Sequence, residues 1–301
     1  MPRRHLGSVL VLIGYLLIAP PVLLFAPLAG LLLLSRPRSV REWLWLLAMA
    51  TWSALWLQQS AGLAGQFARA EAVLITGSFL ALTLWRPSAR FSRALAATAI
   101  GGVALILWMG HFDVSWIAVR EAVEQDLWRY NRDFVVRLGQ MRPDMSEAGI
   151  LDQMAAMVRT IALLYPALLA LASLAGITLA WTWHRRIARQ PLGPAPAGFS
   201  AFEFSDQLVW GWVVGLALCL APLPEFWGWV GANLLMVWAV LYAIRGLAVF
   251  SVGTRKVPAP VIATLSLVAM LLLPFVVGGL TLLGLADTWL DFRRRLAASA
   301  T

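Results

Sequence analysis

GWVGANLLMVWAVLYAIRGLAVF, residues 228–250, is a long apolar run that contains one charged side chain, that of Arg245. An α-helix needs about 20 predominantly apolar residues to cross the hydrocarbon core of a bilayer. The run therefore predicts a membrane-spanning helix. It also places two polar side chains, Asn233 and Arg245, inside that helix.

Similar apolar runs recur along the whole chain. The sequence is 60% hydrophobic and 13% charged, whereas a soluble domain averages about 45–50% apolar and about 25% charged residues. We therefore predict an all-α, polytopic membrane protein with about eight hydrophobic segments. Pro20-Pro21 in the first segment and Pro274 in the last predict that these two are kinked or re-entrant. The segments are 6–34, 43–57, 70–85, 94–110, 157–183, 207–222, 228–250 and 259–283.

A charged stretch separates two groups of segments and suggests three parts. Residues 1–111 hold segments one to four, and residues 157–301 hold segments five to eight. Between them, residues 112–156 carry apolar side chains at spacings of three and four, which predicts an amphipathic helix. Such a helix would lie on the membrane surface or over the bundle, or it would act as a lid over a cavity. Its apolar stripe includes Trp116, Val119, Val123 and Leu127.

The basic residues predict the topology. Four short loops hold eleven Arg or Lys residues, while the intervening loops at 58–69 and 223–227 hold only Arg69. Because cytoplasmic loops carry the excess of Lys and Arg, we expect these four loops to face the cytoplasm of a bacterial inner membrane. Residues 112–156, with five Arg against eight Asp or Glu, should be extracytoplasmic. The formal charge of +9 then reports topology and does not indicate nucleic acid. The four loops are 35–41, 86–93, 184–190 and 251–258.

Side chains able to carry chemistry are scarce. The three His residues show no metal-ligand spacing, and no nucleophile or phosphate-binding motif occurs. Glu71 and Asp206 stand at the boundaries of hydrophobic segments. We therefore expect neither an enzyme nor a cofactor. Asn233 and Arg245 are candidate ligand contacts, but Asn233 could instead bond a neighbouring helix, and Arg245 could snorkel or form a structural ion pair.

The end of the chain predicts a separate surface helix. In GLADTWLDFRRR, residues 284–295, apolar side chains recur at spacings of four and three, and Asp287 and Asp291 occupy other faces. This pattern is typical of a short amphipathic helix at the membrane surface. Its three Arg residues favour the cytoplasmic side, where anionic lipid attracts them. The last segment would then not cross the membrane simply.

The last two segments resemble the YybS-like family of predicted bacterial membrane proteins, which is defined by a domain of unknown function. The resemblance covers about residues 202–296 and is carried by GANLLMVWAVLYAIRGLAVFSVGTRK (231–256) and LGLADTWLDFRRR (283–295). The family is distantly similar to the substrate-binding subunits of energy-coupling-factor vitamin transporters and to the rod-shape membrane protein MreD. Arg245 departs from the pattern, which has an uncharged polar residue there.

The resemblance implies a membrane subunit that binds a small molecule or docks a partner, like the substrate-capture component of a transporter. Its partners would be the lipid bilayer and further membrane or ATPase subunits. The alternative is a ligand-free scaffold of envelope or division machinery. The candidate ligand or partner contacts are Asn233, Tyr242, Arg245, Asp287, Trp289, Asp291 and Arg293.

Overall fold

The computed structural model describes residues 3–59, 62–85, 91–141, 147–195, 198–254, 257–292 and 295, and its regular elements are helices. The chain divides into two compact units, Met1–Pro196 (unit 1) and Ala197–Thr301 (unit 2). The division falls in a linker rich in Pro and Gly, which is the usual composition of a domain boundary.

Five helices among the described residues are long and apolar enough to cross a membrane. The all-α, polytopic prediction is therefore confirmed, although the number of helices of spanning length differs from the eight predicted hydrophobic segments. Pro20-Pro21 splits the first segment into two short helices, and the helix of the sixth segment has only 12 residues. The five candidate spans are Leu63–Trp85, Phe91–His111, Tyr165–Ile187, Glu225–Gly253 and Leu273–Leu290.

Unit 1 contains eight helices among its described residues. The fifth predicted segment begins inside α7, which runs across the predicted boundary at residue 156. The chain breaks at Leu164 instead, two residues before Pro166, whose ring and missing N–H would interrupt a continuous helix. The helices are α1 (Arg3–Ile18), α2 (Val22–Leu34), α3 (Val40–Gln58), α4 (Leu63–Trp85), α5 (Phe91–His111), α6 (Trp116–Met141), α7 (Glu147–Leu163) and α8 (Tyr165–Ile187).

The break at Pro20-Pro21 lies beside the middle of α8. A side chain at Gly176, halfway along α8, would meet the backbone of Leu23 at the start of α2. The hydroxyl of Tyr15, in the last turn of α1, donates to the carbonyl of Ala172 at 3.1 Å. Thus α2 starts beside the middle of the candidate span α8, and the re-entry of the first segment stays a prediction. The side on which α1 begins stays a prediction.

Glu42 joins two of the basic loops at one end of unit 1, which we call the basic end. One carboxylate oxygen accepts the backbone N–H groups of Arg38 at 2.9 Å and Ser39 at 2.8 Å, and the other accepts that of Arg189 at 2.6 Å. Ser39 and Glu42 also form a capping box that starts α3. Loops 35–41 and 184–190 therefore lie together, which agrees with the alternation of charge along the sequence.

The amphipathic stripe predicted for residues 112–156 packs against the bundle. Val119 and Val123 of α6 are buried in one cluster with Phe67 and Ala68 of α4 and Leu105 of α5. The covered part of α4 is its N-terminal half, away from the basic end. The helix α6 therefore lies over the end of unit 1 opposite the basic loops, where the charge pattern predicts it.

Unit 2 begins with two short 3-10 turns and continues with four helices among its described residues. The turns are Phe199–Ala201 and Asp206–Leu208, and the helices are α9 (Val209–Leu220), α10 (Glu225–Gly253), α11 (Ala259–Leu271) and α12 (Leu273–Leu290). The helices α9 and α10 form an antiparallel hairpin, since Gly211 lies against Trp238 while Gly231 lies against Cys219.

The helices α10 and α12 run parallel and touch closely. The hydroxyl of Thr281 donates a hydrogen bond to the carbonyl of Ala239, and Arg245 donates one to Asp287. The partners in each pair are 42 residues apart in the sequence. Because this separation stays the same along the contact, the two helices run in the same direction. A Cβ atom on Gly284 would overlap the carbonyl oxygen of Tyr242. Glycine at this crossing lets the backbones meet.

This geometry changes the interpretation of the last segment. Because α12 runs parallel to α10, the segment that contains the short helix α11 must lead the chain from the C-terminal end of α10 toward its N-terminal end. The helix α12 then returns toward the C-terminal end of α10 near Gly253. The break at Leu272, before Pro274, is where the sequence predicts a kink or re-entry. The start of the 251–258 loop and the end of α12 therefore lie at the same end of unit 2, as the terminal Arg residues predict.

The separate surface helix predicted for residues 284–295 is wrong. Residues up to Leu290 are the last turns of α12, and Asp291 ends it with a left-handed backbone, φ 48°. Asp287 does not face water but is buried, because its carboxylate meets Arg245 of α10. A hydropathy pattern alone could not show that this polar side chain has a cationic partner.

Candidate functional site

The candidate site is a cluster of charged side chains around Arg245 in unit 2. The Nε atom of Arg245 donates to Asp287 at 3.1 Å, and its Nη1 atom donates to Asp206 at 2.8 Å. The side chains of Arg245 and Asp287 are 4% and 1% exposed, whereas that of Asp206 is 63% exposed. The guanidinium is therefore held by one buried carboxylate and one carboxylate at the surface.

Three separate pieces of the chain position these groups. The glycines next to Arg245 and near Asp287, Gly246 and Gly284, bring α10 and α12 into backbone contact, so the two charges can meet. Asp206 arrives from the 3-10 turn that precedes α9. Burying a charge in a low-dielectric interior is costly unless a partner compensates it. The two carboxylates supply that compensation for Arg245.

Aromatic rings surround the cluster. The guanidinium carbon of Arg245 lies 5.5 Å from the ring centre of Phe204, within the range of a cation–π contact. Tyr242, one helical turn before Arg245, is wholly buried, and its ring centre lies 5.2 Å from Phe204, 6.3 Å from Trp212 and 6.5 Å from Trp238. These rings pack edge to face or tilted, so they fill the space beside the guanidinium.

The hydroxyl groups of Tyr242 and Thr288 add polar atoms to the buried side of the cluster. They face each other between α10 and α12. The cluster therefore offers a cation, two carboxylates and two hydroxyls within an apolar setting. This combination can hold a polar group of a ligand by hydrogen bonds and charge.

The structure brings together three of the predicted contacts, Tyr242, Arg245 and Asp287, and separates the others. The amide of Asn233 donates to the carbonyl of Trp229 in its own helix at 3.0 Å, whereas the alternative predicted from the sequence was a bond to a neighbouring helix. Trp289 is 66% exposed, and Asp291 is exposed at the end of α12. Arg293 lies outside the described residues.

Sequence reasoning missed the roles of Asp206 and Phe204. Asp206 looked like a boundary residue, and a boundary carboxylate ordinarily faces water. The sequence did contain a signal. A lone Arg inside an apolar helix needs counter-ions, and the acidic segment FEFSDQ immediately precedes the α9–α10 hairpin, so it could supply one. In the part of the chain that the structure describes, no three His, Cys, Asp or Glu residues form a metal-ligand group.

Comparison with known proteins places the whole chain in one family. The family model described as "Predicted membrane protein (DUF2232)" matches residues 6–288. No curated protein and no solved structure matches the chain. The match extends over both units, and so beyond residues 202–296, which carry the sequence resemblance.

Proposed function

We propose that this chain, which belongs to the DUF2232 family of predicted membrane proteins, is a membrane subunit that binds a small molecule with a carboxylate group. The observation that carries the proposal is the uneven pairing of Arg245. Asp287 is a buried and fixed partner, whereas Asp206 is exposed and comes from a short turn. Its role is binding, with no catalytic step.

A ligand carboxylate would replace Asp206 on Nη1 of Arg245. The guanidinium presents several donors in a planar fork, and Asp287 keeps this fork oriented while the exposed partner is exchanged. An exposed ion pair contributes only about 0–1 kcal/mol, so the loss of Asp206 from the pair costs little. The rings of Phe204 and Trp212 would then contact the apolar part of the ligand.

The resemblance to YybS-like proteins extends this proposal to transport. Their distant similarity to the substrate-binding subunits of energy-coupling-factor transporters suggests that the chain captures its ligand for partner subunits, including an ATPase. Ligand binding at Arg245 is testable without it.

We expect Asp206→Asn to strengthen carboxylate binding by up to about 5-fold, because it removes the competing carboxylate from Arg245. The measurement is the thermal stabilisation of the purified chain by a panel of small mono- and dicarboxylates in mild detergent. Glu203→Gln is the matched control, since it removes an exposed negative charge from the same segment. Its affinity should be unchanged.

A variant without the buried ion pair completes this test. Arg245→Met combined with Asp287→Leu removes both buried charges together and should abolish the stabilisation while the protein still folds. If no carboxylate stabilises the native chain, or if the double variant binds as well as the native chain, the proposed ligand site is wrong.

A scaffold role is the second candidate, and the packing of the aromatic rings favours it. Ring centres 5.2 to 6.5 Å apart around Tyr242 leave the site filled, and the amide of Asn233 bonds within its own helix. Affinity purification in mild detergent separates the two roles. Recovery of an ATPase and a coupling membrane subunit supports substrate capture, and recovery of cell-wall or division proteins alone supports the scaffold.

A further inference from the structure

Unit 1 contains a buried carboxyl group that the proposed ligand site does not use. Glu71 lies in the membrane-spanning helix α4 and is 3% exposed. Among the described residues, neither of its carboxyl oxygens has a hydrogen-bond partner. Its neighbours on the same helix, Ala68 and Ala72, are buried in the apolar core. An isolated carboxylate in such a place would be strongly destabilised.

The second buried glutamate of unit 1 shows what stabilises a charged form. Glu42 is also 3% exposed, but it lies outside the predicted segment 43–57 and accepts three backbone N–H groups. The N–H of Arg189 contributes most, and together these donors lower the pKa of Glu42 to about 2. Glu71 has no equivalent set of donors among the described residues, so its surroundings do not stabilise a negative charge as those of Glu42 do.

The groups that face Glu71 supply no positive charge. From α8, the hydroxyl of Ser173 faces the carboxyl group, and it too is buried without a hydrogen-bond partner among the described residues. Tyr165 of α8 lies within electrostatic reach of both Glu71 and Asp126 of α6. The residues of α2 and α5 in the surrounding cluster are apolar or aromatic; the buried ones are Val22, Leu23 and Leu105, and the partly buried ones are Ala26, Trp108 and Met109.

The nearby arginines are engaged elsewhere. Arg69, on the same helix, reaches the carbonyl of Gln59 and lies over the ring of Trp56 at 5.7 Å. Arg120 of α6 pairs with Glu124 at 3.7 Å. A metal cation is a poor occupant as well, because hard cations such as Ca²⁺ take about 6–8 oxygen ligands. The described surroundings of Glu71 offer one carboxyl group and the hydroxyls of Ser173 and Tyr165, which are too few oxygen ligands.

We propose that Glu71 is a proton-binding site: it carries a proton at neutral pH and ionises only when water reaches it from the end of unit 1 covered by α6. A neutral carboxyl avoids the cost of an unpaired charge in the membrane interior, and the hydroxyl of Ser173 can hydrogen-bond it. The proton is the ligand, and no covalent chemistry is required. This site is independent of the ligand proposed at Arg245.

The packing around α6 defines the route for the proton. Phe67 lies between Trp116 and Tyr165, with both ring centres 6.1 Å away, so these rings pack where α6 meets α4 and α8. Asp126 of α6 is partly exposed, and Tyr165 lies within electrostatic reach of both Asp126 and Glu71. Exchange with water therefore requires α6 to move or Tyr165 to relay the proton.

Infrared spectroscopy of the full chain in lipid nanodiscs tests this directly. We expect the carbonyl band of a protonated carboxylic acid at neutral pH, its complete loss in Glu71→Gln, and its conversion to carboxylate bands as the pH is raised. Glu71→Gln keeps the size and neutrality of the proposed state, so the protein should fold. Glu42→Gln is the matched control and should lose carboxylate bands while the acid band stays.

Two further outcomes decide the details. Ser173→Ala should shift the frequency of the acid band, because it removes the hydroxyl that faces the carboxyl group. If the native chain shows no acid carbonyl band at neutral pH, or if the band survives in Glu71→Gln, Glu71 is not the proton site and the proposal is overturned. The carboxylate-binding result at Arg245 does not affect either outcome.

Discussion

Replacing Asp287 with Ala is expected to lower the free energy of unfolding by about 3–5 kcal/mol. The change removes the buried partner of Arg245 and leaves a guanidinium that is 4% exposed without the carboxylate on its Nε atom. The compensation by Asp206 is incomplete, because that carboxylate is largely in water. Unfolding of the purified chain in mixed micelles, followed by the fluorescence of its Trp residues, measures the effect.

Two variants control this result. Asp206→Asn removes the exposed partner and should cost at most about 1 kcal/mol, since water already solvates this carboxylate. Arg245→Met combined with Asp287→Leu should recover most of the lost stability, because no unpaired charge remains. If Asp287→Ala is no more destabilising than Asp206→Asn, the buried ion pair does not hold α10 and α12 together.

Replacing Gly284 with Ala should lower the free energy of unfolding by about 2–3 kcal/mol. The added methyl group would overlap the carbonyl oxygen of Tyr242. A backbone atom in a helix cannot move aside as a side chain can, so α10 and α12 must separate. The separation also lengthens the contact between Arg245 and Asp287. The same unfolding measurement applies.

Gly278 gives a matched control on the same helix. An added methyl group there would meet nothing within 4 Å, so Gly278→Ala should be neutral or should stabilise the helix by up to about 1 kcal/mol. Equal stability of the Gly284→Ala and Gly278→Ala variants would show that the close crossing of the two helices is absent.

The sequence predicts the class of the protein and much of its layout. Apolar runs of membrane length, their proline breaks and the alternation of basic loops follow from the physical chemistry of the bilayer, which acts on each segment separately. Hence the helical membrane class and the breaks at Pro20-Pro21 and near Pro274 could be predicted. The family match over residues 6–288 agrees with this class.

The pairing of side chains between helices could not be predicted. Hydropathy does not show in which direction two helices lie against each other, so the meeting of Arg245 with Asp287 required the parallel packing of α10 and α12. Similarly, Glu42 and Glu71 are both near segment ends in the sequence. Only the fold shows that one accepts three N–H groups and that the other is enclosed by apolar side chains.

The return of α12 to the end of α10 is the central claim of this account, because the buried contact between Arg245 and Asp287 depends on it. Single cysteines are introduced at Thr254, Arg295 and Leu223 in a Cys219→Ser background, and sealed vesicles of known orientation are treated with a membrane-impermeant maleimide. The account predicts that positions 254 and 295 react from the same side and that position 223, in the turn between α9 and α10, reacts from the other. Reaction of position 295 from the side of position 223 would contradict it.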